Sequence, residues 1–275
     1  RRTIQTDIDT VIFRTTPYEK NDSVFEINTT RFNNEVLKQR LSCVPINITD
    51  VNGFPYEQYI MTCHVKNETD IVLYVTTKDF KIKNVLTNEY IDDEQRDKIF
   101  PPNSFTSEYI KFCRLRPKVS DEIKGEEIKF TCKFSIGNVK ENSMYNAVSL
   151  STYGNTLDLI KINEKWDGME KEYENDRLTK DDIAFKKRNF MAVDAKRIFI
   201  KDSFDFKIKS VGVFENKQII LKACDVLINK FDDLKVKLKE DEIKILPGTI
   251  EDEVSYDICL FNEDYTIGKI IESVL

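Results

Sequence analysis

Hydrophobic and polar positions are most clearly ordered between Phe204 and Leu238. Phe204, Phe206 and Ile208 alternate with Asp205, Lys207 and Lys209, the period of a strand with one charged face. Gly212 marks a turn. Beyond it Ile220, Cys224, Leu227, Phe231, Leu234 and Leu238 recur at intervals of four and three, one face of a long helix from about Asn216. Ile219, Ala223, Val226 and Ile228 widen that arc, so this helix is expected to cover its own sheet and also to meet a second body.

The remaining pattern predicts an α+β chain. Residues 1–13 read as a helix (Ile4, Ile8, Val11) running into an extended segment, Val24–Thr30 as a strand, and Arg31–Leu41 as a helix with Phe32, Val36, Leu37 and Leu41 on one face, closed by Pro45. From about Asn47 the texture turns to β, with strands expected in IVLYVTTKDF, YIKFCRLRP and EEIKFTCKFSIG. Gly137–Asn155 reads as an exposed loop holding the short strand AVSLSTY, Lys161–Asn189 as a solvated, charged helical face around the single Trp166, and the stretch after Leu238 as a charged link closed by Pro247-Gly248. A strand and a helix starting at Asp264 or Thr266 follow, with Ile267, Ile270, Ile271 and Leu275 at helical spacing. This pattern echoes the first segment and suggests two related halves.

Composition narrows the chemistry. Charge is 42 minus 48, or -6, with no basic block, so strong nucleic-acid binding by this chain alone is not expected. Glycine numbers only 8 and forms no phosphate-cradling loop, and no apolar run reaches membrane-spanning length. Cys43, Cys63, Cys113, Cys132, Cys224 and Cys259 form no C-x-x-C pair, and His64 is the sole histidine, so neither a metal site nor a cofactor is expected. Carboxylate clusters (Asp92, Asp93, Glu94; Glu126, Glu127; Asp181, Asp182) lie among lysines in turn-like stretches, and there is no G-x-S-x-G elbow. No catalysis is expected. Four N-x-S/T triplets, at Asn21, Asn28, Asn47 and Asn67, keep an alternative open: a secreted, N-glycosylated recognition domain with disulfides. The first residues lack a starting Met and the last stop inside a helical pattern, so the chain reads as a piece clipped at both ends.

Three segments together resemble one family. EINTTRFNNEVLKQRLSCVPI (Glu26–Ile46) is similar to a strand and helix of the form N-T-T-x-x-x-x-D/E-x-x-x-x-R-L-G-x-x-P, and GNVKENSMYNAV (Gly137–Val148) to a G-x-x-x-E-H-A-K-F/W-x-P-V loop. FKIKSVGVF with its helix ending in FDDL resembles an F-x-x-E-S-x-G strand and the helix after it. The family is the alpha-like assembly subunit of multisubunit DNA-directed RNA polymerases. Arg1-Arg2 looks like the tail of its N-x-L-R-R helix, and FNEDYTIGKII (Phe261–Ile271) resembles the E-D-H-T-L-G-N-L-L start of the family's smaller dimer partner. Both on one chain imply a fusion like that of some large nucleocytoplasmic DNA viruses, working in an infected cell's cytoplasm or nucleus, or in the virion. Departures are Asn142, Ser143 and Met144 in place of His-Ala-Lys, Ser42 in place of Gly, and only Cys63 near the zinc or iron–sulfur cluster of some members.

The resemblance implies a dimerisation domain, a mixed sheet with packed helices, split into 1–44 and 195–242 by a β-rich insertion at 45–194. The start of the smaller-partner domain follows at 243–275. Ile220, Cys224, Leu227, Phe231 and Leu234 would meet Thr266, Ile267, Ile270 and Ile271 intramolecularly, leaving part of the arc near Phe231 and Leu234 uncovered. Glu35, Arg40, Leu41, Glu141 and Tyr145 would dock the two largest subunits, where the only magnesium would reside. No membrane partner is implied.

Overall fold

The computed structural model describes residues 1–275 apart from 121, 241, 249–254 and 275, so the expected position of Leu275 lies outside the described residues. The chain is α+β and divides into two compact units: Leu150–Lys209 with Arg1, and Arg2–Ser149 with Ser210–Leu275. The division falls at 149/150 and 209/210.

The larger unit begins with α1 (Arg2–Thr6), β1 (Thr10–Ile12), β2 (Ser23–Asn28) and α2 (Asn34–Ser42). It continues with β3 (Tyr59–Lys66), β4 (Leu73–Thr76), β5 (Lys81–Asn84), α3 (Asp93–Ile99), β6 (Lys111–Leu115), β7 (Glu127–Lys133) and β8 (Ser135–Gly137). Antiparallel pairs build a four-stranded sheet in the order β2-β7-β3-β5, beside the two-stranded pairs β1-β8 and β4-β6. In β7 the buried Ile128, Phe130 and Cys132 alternate with Lys129, Thr131 and Lys133, so one face of that central strand is committed to the core. Aromatic rings continue from it: Phe130 to Phe112 at 5.2 Å between centroids, Phe112 to Phe80 at 5.7 Å, Phe80 to Phe100 at 5.6 Å, and Phe13 to Phe134 at 5.1 Å.

Helix α2 starts where Asn33 Oδ1 accepts the Val36 amide at 3.0 Å, so Phe32 lies before the helix rather than on its face. Leu37 and Leu41 are buried while Val36 points outward. Ser42 donates from its hydroxyl to the Phe13 carbonyl at 3.0 Å and contacts Thr15 at 2.6 Å, tying the end of α2 to the segment that follows β1. The segment expected as an exposed loop is mixed: Lys140, Glu141, Ser143 and Asn146 are exposed, but Tyr145, Ala147 and Val148 are buried, and the strand that starts at Val148 is ten residues long.

That strand, β9 (Val148–Leu157), leads into the smaller unit, with α4 (Leu159–Asn175), α5 (Lys180–Ala192) and β10 (Phe199–Ser210), which pairs with β9. The charged stretch around Trp166 is therefore a helical hairpin with its own core of Ile162, Trp166, Phe190 and Ala195. Trp166 donates to Glu170 Oε2 at 2.9 Å, and the Lys187 ammonium lies 5.3 Å over its ring.

Back in the larger unit, Gly212 turns the chain at φ 115, a conformation that residues with a side chain rarely adopt, and Ser210 Oγ fixes the turn by donating to the Phe214 carbonyl at 2.6 Å. Helix α6 (Asn216–Lys239) follows, opened by a reciprocal cap between Glu215 and Gln218. The expected charged link contains β11 (Lys244–Pro247), paired antiparallel with β12 (Tyr256–Cys259), and α7 (Tyr265–Val274) ends the described chain.

Candidate interaction surface

The wide apolar arc of α6 is covered on one side only. Ile219 and Ala223 are buried, and Val226 and the Lys230 stem continue that stripe half-buried at the next turns. A quarter-turn and more away, Ile220 is 46% exposed, Leu221 56% and Ile228 57%, with Cys224 exposed among them. The expected inward face of Ile220 and Cys224 is thus corrected to the face of Ile219 and Ala223. A hydrophobic arc this broad has no single core side, and packing against α1 selects the one that is covered. Leu227, Phe231 and Leu234 lie at the border, half-buried.

The covered side is fastened by one ammonium group. Lys230 Nζ lies 2.8 Å from Asp7 Oδ2 and 3.6 Å from Glu263 Oε2, and Lys140 Nζ approaches Asp7 Oδ1 at 3.3 Å. Burial by itself would raise the Asp7 carboxyl, but hydrogen bonds from Lys230 and Thr6 and the nearby ammonium groups outweigh it and hold it below its ordinary value. Lys230 shows the mirror case: burial would lower it, and Asp7 with Glu263 raises it. Through Glu263 the bridge also reaches the lead into α7. Asp264 Oδ1 accepts the Thr266 amide at 2.8 Å, and Ile267 is buried, whereas Thr266, Ile270 and Ile271 are half-buried. A cleft of about 170 Å³ lined by Lys230, Leu234, Lys237, Cys259, Phe261 and Ile267 separates the two segments.

A second surface lies around α2 and β6. Arg40 donates from Nε to the Phe112 carbonyl at 2.6 Å and from Nη2 to the Lys111 carbonyl at 3.0 Å, with Phe32 beneath its guanidinium. It clamps α2 to an edge strand and walls an open cleft of about 510 Å³ with Val36, Val44, Ile110, Phe112 and Met144. Glu35 is exposed beside it, and Glu141 pairs with Arg14 at 3.0 Å. Leu41 and Tyr145 are fully or nearly buried, which corrects their expected role as contacts. A Cβ at Gly137 would sit 2.6 Å from Ile12 Cδ1 and 3.3 Å from the Tyr145 ring, so the glycine lets this strand lie close against Ile12 with Tyr145 packed beside it.

The N-x-S/T triplets have a structural use. Asn28 Oδ1 accepts from the Thr30 amide at 3.0 Å and hydroxyl at 2.7 Å, while its Nδ2 donates to the Phe32 carbonyl at 2.9 Å. Asn67 repeats the arrangement with Thr69 and the Ile71 carbonyl, and donates also to the Leu115 carbonyl at 3.1 Å. Its exposure is 0%. Asn21 bonds Ser23 in the same way, so three of the triplets are side-chain-closed turns. All six cysteines are free, with burial raising the Cys63, Cys113 and Cys132 thiols, Cys113 to about 12. Among the described residues no group of three His, Cys, Asp or Glu side chains could hold a metal, and no helix is long and apolar enough to cross a membrane.

No family model matches this chain. It is similar to the "Conjugation stage-specific protein" of Tetrahymena thermophila, 24% identical over 287 residues that span 88% of this chain and 87% of that protein. The similarity thus runs through both compact units and is not confined to one motif.

Proposed function

We propose that the chain is a non-catalytic assembly subunit of a multisubunit DNA-directed RNA polymerase, with α6 as its dimerisation helix and the β12–α7 segment as the start of a smaller partner carried on the same chain. One observation supports this above the others. The apolar arc of α6 extends past the stripe that packs against α1, and the segment resembling the smaller partner faces the C-terminal half of the same helix across the cleft lined by Leu234 and Ile267, joined to it by the Lys230–Glu263 pair. Tethering two such partners raises their effective concentration to about millimolar for a short linker, so pairing no longer depends on encounter. In this reading the two largest subunits, which hold the catalytic magnesium, dock on the α2 side. With Leu41 and Tyr145 internal, Glu35, Val36 and the rim of the Met144 cleft are the accessible groups there, and Arg40 shapes the surface by holding β6.

The test is assembly. Glu35→Lys with Val36→Asp changes the accessible α2 surface without touching the buried Leu37 and Leu41, so the chain itself should fold with an unchanged melting curve. Recovery of the two large subunits on a tagged chain is expected to drop by about tenfold or more. Undiminished recovery with the double variant, or a wild-type chain that never retains large subunits, overturns the reading.

A further inference from the structure

The β9–β10 ribbon of the smaller unit is an incomplete sheet. Two strands alone are marginal in water, and stability normally requires a third strand or a covering helix. On one face Tyr153 stacks with Phe206 at 5.7 Å and meets the edge of Phe204 at 6.0 Å, yet Phe204 remains 50% and Phe206 53% exposed. On the other face Thr156 Oγ1 donates to Asp205 Oδ1 at 3.1 Å, which confirms the strict alternation of sides along β10. That alternation puts Lys201, Lys207 and Lys209 on the Asp205 face, and Lys201 and Lys207 make no ion pair among the described residues. β9 is partly capped, since Arg1 Nε donates to the Ser151 carbonyl at 3.1 Å, whereas among the described residues β10 pairs only with β9. A twelve-residue strand without proline and with one edge open is a template for another chain.

We infer that this edge of β10 receives an extended segment of a partner protein in which apolar and acidic residues alternate, adding a third strand. Backbone pairing would supply affinity. The apolar residues would extend the Tyr153–Phe204–Phe206 cluster, and the acidic ones would face Lys201 and Lys207. The same face works against a second copy of this chain, because another β10 brings Lys201, Lys207 and Lys209 to it against a single Asp205. The inference is independent of the assembly reading, and its test needs no polymerase subunit.

The full chain is titrated into two fluorescent peptides, one alternating valine with glutamate and one alternating valine with lysine, with anisotropy as the readout. The glutamate peptide should bind about fivefold more tightly than the lysine peptide, the effect of two cross-strand charge pairs. Lys201→Glu with Lys207→Glu, surface changes that leave the fold intact, should reverse the preference. Phe204→Ser with Phe206→Ser should weaken both peptides with an unchanged circular dichroism spectrum. Equal affinities, or a preference that the charge reversal leaves in place, overturn the proposal. So does sedimentation showing a dimer of the wild-type chain that the Phe204/Phe206 variant abolishes, since the edge would then belong to a second copy.

Discussion

Lys230 holds three segments with one ammonium group: α1 through Asp7, its own helix, and the approach to α7 through Glu263. The pair with Asp7 is largely withdrawn from water, so removing one partner strands a charge. Asp7→Asn should cost about 1–2 kcal/mol, between the values for exposed and buried ion pairs. The folded carboxyl titrates below the unfolded one. Its contribution is therefore complete above the unfolded value of about 3.9 and is lost as the pH falls through the lower folded value. Lys230 contributes in the opposite sense, fully below the unfolded lysine value and less as the pH rises through its raised folded one. Urea denaturation at stepped pH should show a shallower acid limb in Asp7→Asn than in wild type, and equal slopes would remove Asp7 from the account. Asn67 illustrates how one residue pattern serves two chemistries. The triplet that sequence reads as a glycan acceptor is here a turn with the amide nitrogen inside the protein, donating to two carbonyls. Attachment at that nitrogen would require unfolding the turn.

At the level of elements, the outcome depends on how local each determinant is. The start of α6, the Gly212 turn and β2 follow from periodicity and backbone chemistry within a few residues, and all were legible in the sequence. Gly212→Ala tests the turn in isolation. A Cβ there would meet nothing within 4 Å, so its expected cost of about 1–3 kcal/mol is purely conformational and should appear as a lowered melting temperature. Which side of α6 faces inward was not legible, because apolar residues occupy more of its circumference than one core can cover and a non-local neighbour decides. β3 was readable but unread: the buried Met61 and Cys63 alternate with Thr62 and His64. β5 and α3 are short and charged, Lys81–Asn84 and Asp93–Ile99, and become regular only because β3 and the Asp92 cap provide partners. Leu41 and Tyr145 failed as contact candidates for a related reason. A motif preserves identity and spacing, but burial is set by what packs on it, here β2 and β6 against α2 and the close approach at Gly137 beside Tyr145.

For the molecule as a whole, the path of the chain between its two units matters most. It leaves the larger unit after Ser149 and returns at Ser210, and the Val211 amide donates to the Ala147 carbonyl at 3.2 Å just inside those points. Departure and return are therefore neighbours. Replacing residues 150–209 by a short Asn-Gly turn should leave a larger unit that unfolds cooperatively, with the α6 amides still protected in hydrogen exchange, because closing so small a gap costs little chain entropy. Loss of that protection would show that α6 relies on the excised part. In the gene, the codons for 150–209 then form a cassette whose boundaries lie side by side in the folded product. Such a stretch is open to lengthening, exchange or loss between lineages at a rate of its own, while substitutions around Asp7, Gly212 and Lys230 are constrained by every contact they share.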